Sequence, residues 1–174
     1  IVLSEESEIL FEVNSLTGAY NATVLSGDTK NLYTFKETQM GISIQSAWGD
    51  HADQVLCEKD SKLSYVSINA SNFSEASTTW NFIPTDDPQV CYIQNAKTGN
   101  YIYADGSSVL TAADKKDTGK WVVDTSTGKY RIFSYNTLLA LNTEKQSGAV
   151  TLDKLPAFYL SSQFDIDLDY VYGY

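Results

Sequence analysis

The sequence predicts an all-β fold, a barrel of short antiparallel strands in repeats of roughly 40 residues. Three observations lead to it. Runs of four to six residues rich in Thr, Val, Ile, Tyr and Phe recur between turn signals such as G-D-T, W-G-D, D-G-S-S and S-T-G. The pattern of residues 89–123 repeats on both sides of itself. No stretch sustains a helical period, and the best helical candidate, residues 71–78, is short.

Taken in order, the first unit is the loosest: strand signals at residues 9–13, 20–25 and 32–35, with an N-S-L-T-G turn at 14–18. In the second, residues 40–44, 55–57 and 63–68 read as strands, Trp80-Asn81-Phe82 closes it, and 49–53 and 69–79 are polar surface loops. The third is the clearest. Val90 and Tyr92 open it, an N-x-x-T-G turn follows at 95–99, and 101–104, 109–112 and 121–123 supply the remaining strands. The fourth repeats that layout at 130–133, 138–141, 149–152 and 158–160, with its turn at 134–137. Trp80, Trp121 and Phe158 are spaced by 41 and 37 residues, so they are expected at equivalent core positions. Beyond them, Phe164 to Tyr172 alternates strictly, apolar and aromatic residues against Asp165, Asp167 and Asp169. That period of two predicts a half-buried edge strand with a charged solvent face. Carboxylates about 6.6 Å apart along a strand do not converge on one calcium ion, so no metal is expected there.

With 174 residues, 43% of them apolar, a single domain over residues 1–174 is expected. No apolar run reaches the roughly 18 residues of a membrane span. The 22 acidic against 12 basic residues give a net charge of -10, which argues against nucleic acid and anionic membranes as partners. The first residue is Ile and no basic-then-apolar leader is visible, the expectation for a mature, secreted form. Cys57 and Cys91 are either two buried thiols or, in an oxidising compartment, one disulfide worth about 3 kcal/mol. Sequons at Asn21, Asn69 and Asn72 add to the expectation of a secreted glycoprotein.

Catalytic chemistry is poorly served. His51 is the only histidine and stands in a polar loop beside Asp50 and Asp53, without a nucleophile elbow anywhere. Two cysteines and one histidine far apart have no zinc-ligand spacing, and T-G-N-Y and S-T-G-K are turns rather than phosphate loops. An enzyme is therefore not expected, nor any cofactor. Aromatics are the remaining resource: 12 Tyr, 7 Phe and 3 Trp. Tyr101 and Tyr103 share one strand face opposite Ile102. Tyrosine rings stack on the apolar faces of sugars while their hydroxyls bind polar groups.

These residues resemble the β-trefoil superfamily and, within it, the ricin B-type lectin-like domains. Repeats of that family run Y-x-I-x-N, a small turn, T-G-x-Y-L, a valine strand and a closing W, a likeness clearest here over residues 80–160. A trefoil has three such units, whereas the sequence divides into four (9–35, 38–83, 88–124, 129–160). Either the first two merge or the barrel closes differently. The family's closing Q-x-W is replaced by Thr78-Thr79-Trp80 and Gly119-Lys120-Trp121. The family's sugar-binding Asp corresponds to about Tyr103 and to Leu141, neither a carboxylate. The resemblance thus implies a β-trefoil-like barrel without galactose-type recognition. With the tyrosine-rich strands, it implies a secreted, non-enzymatic, lectin-like protein whose partner is a glycan or cell-surface glycoprotein. Contacts are expected at Asn100, Tyr101, Tyr103 and Asp105, a ring on a sugar face and polar groups on its hydroxyls. The alternative is a trefoil protease inhibitor or protein-interaction module acting through loop 49–53 or 114–120, where Lys115-Lys116 would suit a pocket bearing an acid.

Overall fold

Alternating apolar positions produce thirteen short strands in the computed structural model, which describes residues 31–71, 73, 77–126, 128–143, 150–154, 162–166 and 168. They fall into three units. Unit one holds β1 (Gln39–Ser43), β2 (Gln45–Ser46), β3 (Gln54–Lys59), β4 (Lys62–Ser67) and β5 (Thr79–Pro84). Unit two holds β6 (Cys91–Asn95), β7 (Tyr101–Asp105), β8 (Ser108–Ala112) and β9 (Lys120–Asp124). Unit three holds β10 (Arg131–Ser134), β11 (Ala140–Asn142), β12 (Thr151–Asp153) and β13 (Phe164–Asp165). β1 and β2 are one bent strand. Its register on β5 slips between Gln39 and Ile42, where Gly41 takes φ 69°, a left-handed backbone that glycine adopts without a Cβ clash. The only helical elements among the described residues are 3-10 turns, and none is long enough to cross a membrane.

Antiparallel pairs β1–β5, β5–β6, β6–β9 and β9–β10 run round a barrel. The Tyr130–Phe164 bridge and the β13–β2 pair close it. Three hairpins, β3–β4, β7–β8 and β11–β12, sit over the wall. Each joins it at the same register: Gln45 with Val55, Gln94 with Tyr101, Phe133 with Ala140. The hairpin turns follow their local chemistry. Asp60 and Ser61 both have positive φ, as a type I′ turn requires, and Gly106 (φ 62°) opens the turn of β7–β8.

This threefold register sorts the core into layers. Ile44, Ile93 and Ile132 are equivalent, as are Leu56, Ile102 and Leu141, and all six are fully buried. The closing aromatics form a third layer. Trp80 Nε1 donates to the Leu56 carbonyl at 3.0 Å and Trp121 Nε1 to the Ile102 carbonyl at 3.3 Å, the same contact in two units. In unit three the equivalent is Phe164, which has no ring N–H and bridges Tyr130 as Trp121 pairs with Cys91. Tyr33, Phe35, Ile166 and Leu168 join the same core, with Phe35 stacked on Phe82 at 5.9 Å. The Tyr33 hydroxyl donates to the Leu168 carbonyl.

Three expectations are corrected. The units begin at β1, β6 and β10, so neither a merger of the first two sequence units nor a different closure is needed; residues 9–30 and Phe158 lie outside the described residues. In the run from Phe164, the described residues alternate as expected, with Phe164, Ile166 and Leu168 buried and Asp165 exposed, while residues 167 and 169–172 lie outside the described residues. The run is not an edge strand, because Phe164–Asp165 is held on both sides and completes the barrel. Finally, Cys57 and Cys91 are free and buried. Cys91 belongs to the central core with Leu56, while Cys57, the next residue along β3, points away from it. Its sulfur lies 3.3 Å from Ser64 Oγ instead of a second sulfur.

Candidate functional site

In unit two, the alternation that buries Ile93 and Ile102 turns Tyr92, Tyr101 and Tyr103 outward, each half-buried. Tyr92 and Tyr101 meet edge to face, centroids 6.2 Å apart at 75°. Two lysines of the β8–β9 loop reach over the tyrosine rings. Lys115 Nζ stands 4.9 Å from the Tyr92 centroid and 5.9 Å from that of Tyr101, and Lys116 Nζ 5.2 Å from that of Tyr103. An open cleft of about 460 Å³ is lined by Tyr92, by the ammonium-bearing Lys115 and Lys120, by Asp86 and Asp87, and by Tyr135. The β5–β6 loop that carries the two aspartates is held by its own bonds: Thr85 N to the Val90 carbonyl and Gln89 N to Asp87 Oδ1, both 3.0 Å.

The four residues expected to form a site share one hairpin and its entry, but they do not share one pocket. Tyr101 lies against Tyr92, which lines the cleft. Tyr103 lines a second hollow of about 370 Å³, floored by the equivalent residues Leu63, Val109 and Val150. Asp105 is exposed at the end of β7. Asn100 is engaged elsewhere: its Nδ2 donates to Glu58 Oε2 at 2.6 Å, and Thr98 Oγ1 donates to Glu58 Oε1 at 2.6 Å. Glu58 is buried, and these donors replace the water its carboxylate has lost, so the knot ties unit one to unit two. Sequence reasoning missed Asp86, Asp87, Tyr92 and Tyr135, and it offered Lys120 only as the end of the alternative loop 114–120. Only Tyr92 had a local signal, its place on the outward alternation of β6.

The other expected features have different fates. The register equivalents of Tyr103 are Cys57 and Asn142, so the position assigned to Leu141 belongs to Asn142; Leu141 is in the core. A Cβ on Gly119 would stand 2.9 Å from the Ile102 carbonyl oxygen, which leaves no room for the glutamine of a Q-x-W ending. Loop 49–53 contains a 3-10 turn, Gly49–His51. His51 is half-buried, edge-on to Trp48 at 4.5 Å and 3.4 Å from Thr143 Oγ1. Asp53, hydrogen-bonded by Ser67 Oγ at 2.6 Å, is thereby held below the ordinary carboxylate range. Burial pushes both thiols up. No cluster of three metal-ligating side chains occurs among the described residues. Of the sequons, Asn69 is exposed after β4, while Asn21 and Asn72 lie outside the described residues.

Neither a protein-family profile nor a curated protein sequence matches this chain. Solved structures do. A designed threefold-symmetric protein, ThreeFoil, superposes with a TM-score of 0.56 at 13% identity, over 72% of this chain and 97% of its own. The fold is a β-trefoil. The Polyporus squamosus lectin, solved with a Neu5Acα2-6Galβ1-4GlcNAc epitope, matches at TM-score 0.61 and 18% identity over 78% of this chain. A Clostridium perfringens endo-β-galactosidase that releases GlcNAcα1-4Gal matches at 0.60 and 17% over 72%. The trefoil spans 50% of that lectin and 32% of that enzyme.

Proposed function

We propose that the protein binds carbohydrate through the outer face of unit two and catalyses no reaction. One observation carries the reading. Half-buried Tyr92 lines an open polar cleft and meets Tyr101 edge to face, and the register equivalents of this pair, Ser43 with Val55 and Arg131 with Ala140, supply no aromatic in the other units. Rings beside carboxylates and ammonium groups offer what a sugar needs, an apolar surface and donors and acceptors for its hydroxyls. Two trefoil-containing neighbours act on or bind glycans, which agrees with this use. The protease reading is weakened because Lys115 and Lys116 lie over tyrosine rings instead of standing clear as a pocket-filling side chain would. Secretion belongs to the same proposal, with exposed Asn69 as the acceptor of an N-glycan; the free thiols remove one support for it.

A glycan array followed by titration tests the site. Tyr92→Ala and Tyr101→Ala should each weaken binding about tenfold or more while the protein still melts cooperatively. Tyr103→Ala shows whether the second hollow takes part. An empty array beside nanomolar inhibition in a protease panel would replace this reading with the inhibitor.

A further inference from the structure

We propose that the glycan taken by this face is acidic, its carboxylate or sulfate held by Lys115 and Lys120 while Asp86 and Asp87 accept from its hydroxyls. This rests on the carbohydrate-binding reading and adds the ligand's charge. The chain as a whole carries a net charge of -10, yet three of its 12 cationic side chains, Lys115, Lys116 and Lys120, gather at one tyrosine face. Lys120 is the cross-strand partner of Tyr92, so both flank the same edge of the cleft. Among the described residues neither Lys115 nor Lys116 enters an ion pair, although Asp114 and Asp117 are their neighbours in sequence. Their ammonium groups rest on aromatic rings, a contact that leaves N–H donors facing solvent.

That arrangement favours one charge of ligand over the other. A neutral sugar stacking on Tyr92 or Tyr101 must push Lys115 aside and forfeit its ring contact. An acidic sugar meets the displaced ammonium with a charged acceptor, and such hydrogen bonds are roughly twice as strong as neutral ones. Asp86 and Asp87 repel the acid group, which orients it toward the lysines. The protein's overall negative charge does not cancel this, because exposed charges beyond about 8 Å are screened at physiological ionic strength.

Titration of matched sugars decides the matter: a glucuronate oligosaccharide against its carboxyl-reduced form, sialyllactose against lactose, and a sulfated against an unsulfated galactose oligosaccharide. At least one acidic member should bind about tenfold more tightly than its neutral partner, and the pair that shows it identifies the acid. In the Lys115→Gln/Lys120→Gln double variant the two members of that pair should bind alike. Lys97→Gln, in the β6–β7 turn, should keep the preference. Equal binding of acidic and neutral members by the native protein would overturn the inference and leave carbohydrate binding standing. No binding to any sugar would overturn both.

Discussion

Where unit two has Tyr92, unit three has Arg131 at the same register; where unit two has Tyr101, unit three has Ala140. The inward neighbours of these positions are matched, Ile93 with Ile132 and Ile102 with Leu141. The outward ones have opposite fates. Arg131 is buried, its Nε and Nη2 bonded to Asp124 Oδ2 at 2.9 and 2.7 Å, and its guanidinium lies over Phe133. Phe133 and Ala140 are covered by Leu32, Val90 and Val122. Leu32 belongs to a strap that hydrogen-bonds β9 through Tyr33 N to the Val123 carbonyl and Thr125 N to the Asn31 carbonyl. No such strap crosses Tyr92 and Tyr101 among the described residues. Covering one unit and leaving its copy open turns a structural repeat into a site, without any change in the barrel.

The largest effect should come from cutting the covered unit. Arg131→Met leaves Asp124 buried without its cation and should cost about 3–5 kcal/mol in urea denaturation. Tyr92→Ser, the matching change in unit two, should cost under about 1 kcal/mol. Equal costs would erase the distinction between a structural and a free outer face. Next comes the residue two before each closing aromatic. Gly119→Ala drives a Cβ against the Ile102 carbonyl and should lose about 1–3 kcal/mol. Ser162→Ala, its equivalent, removes a buried hydroxyl with no partner among the described residues and should stay within about 0.5 kcal/mol of the native protein.

A smaller contrast lies in the β10–β11 turn. Leu138 has φ 59° where the β6–β7 turn has Gly99 at 81°, and both N–H groups return to the residue four before them, Ser134 and Asn95. A left-handed leucine is strained by about 1–2 kcal/mol. Leu138→Gly should therefore raise the unfolding free energy from urea denaturation by up to about 1 kcal/mol, net of lost side-chain contacts, while Gly99→Ala lowers it by a similar amount. The smallest effect is at Cys91, whose equivalent Tyr130 is half-buried. Because burial raises the folded thiol above its unfolded value of about 8.5, its stabilising share is complete below that pH. It is lost as pH rises and the unfolded thiol ionises. Cys91→Ala should flatten that loss between pH 8 and 10. Unreduced native protein should yield two thiols to alkylation only after unfolding.

The strands were legible because alternation is a local property. The runs at 101–104 and 109–112 coincide with β7 and β8, and Trp80 and Trp121 take the equivalent places their spacing suggested. Phe164 takes the third closing position, and Phe158, expected there from spacing, lies outside the described residues. A strictly alternating strand looks the same at an edge as in a barrel wall, and only the Tyr130 and Ser46 partners of Phe164 distinguish them. Of the site, Tyr101 was legible from its position opposite Ile102. Asp86, Asp87 and Tyr135 were not, since they reach the cleft from other hairpins. Asn100 had turn chemistry compatible with ligand binding, and Glu58, 42 residues earlier, claims it.

By itself, then, the sequence determined an all-β repeat with its inward and outward faces, because a period of two depends only on neighbours along one strand. Tertiary structure alone decided which three units close the barrel, that the two thiols face different ways, and which outward face stays open. Each of those depends on a segment arriving from far along the chain, Leu32 over β9 or Phe164 beside Tyr130, and a covering contact leaves no periodic mark on the residues it covers.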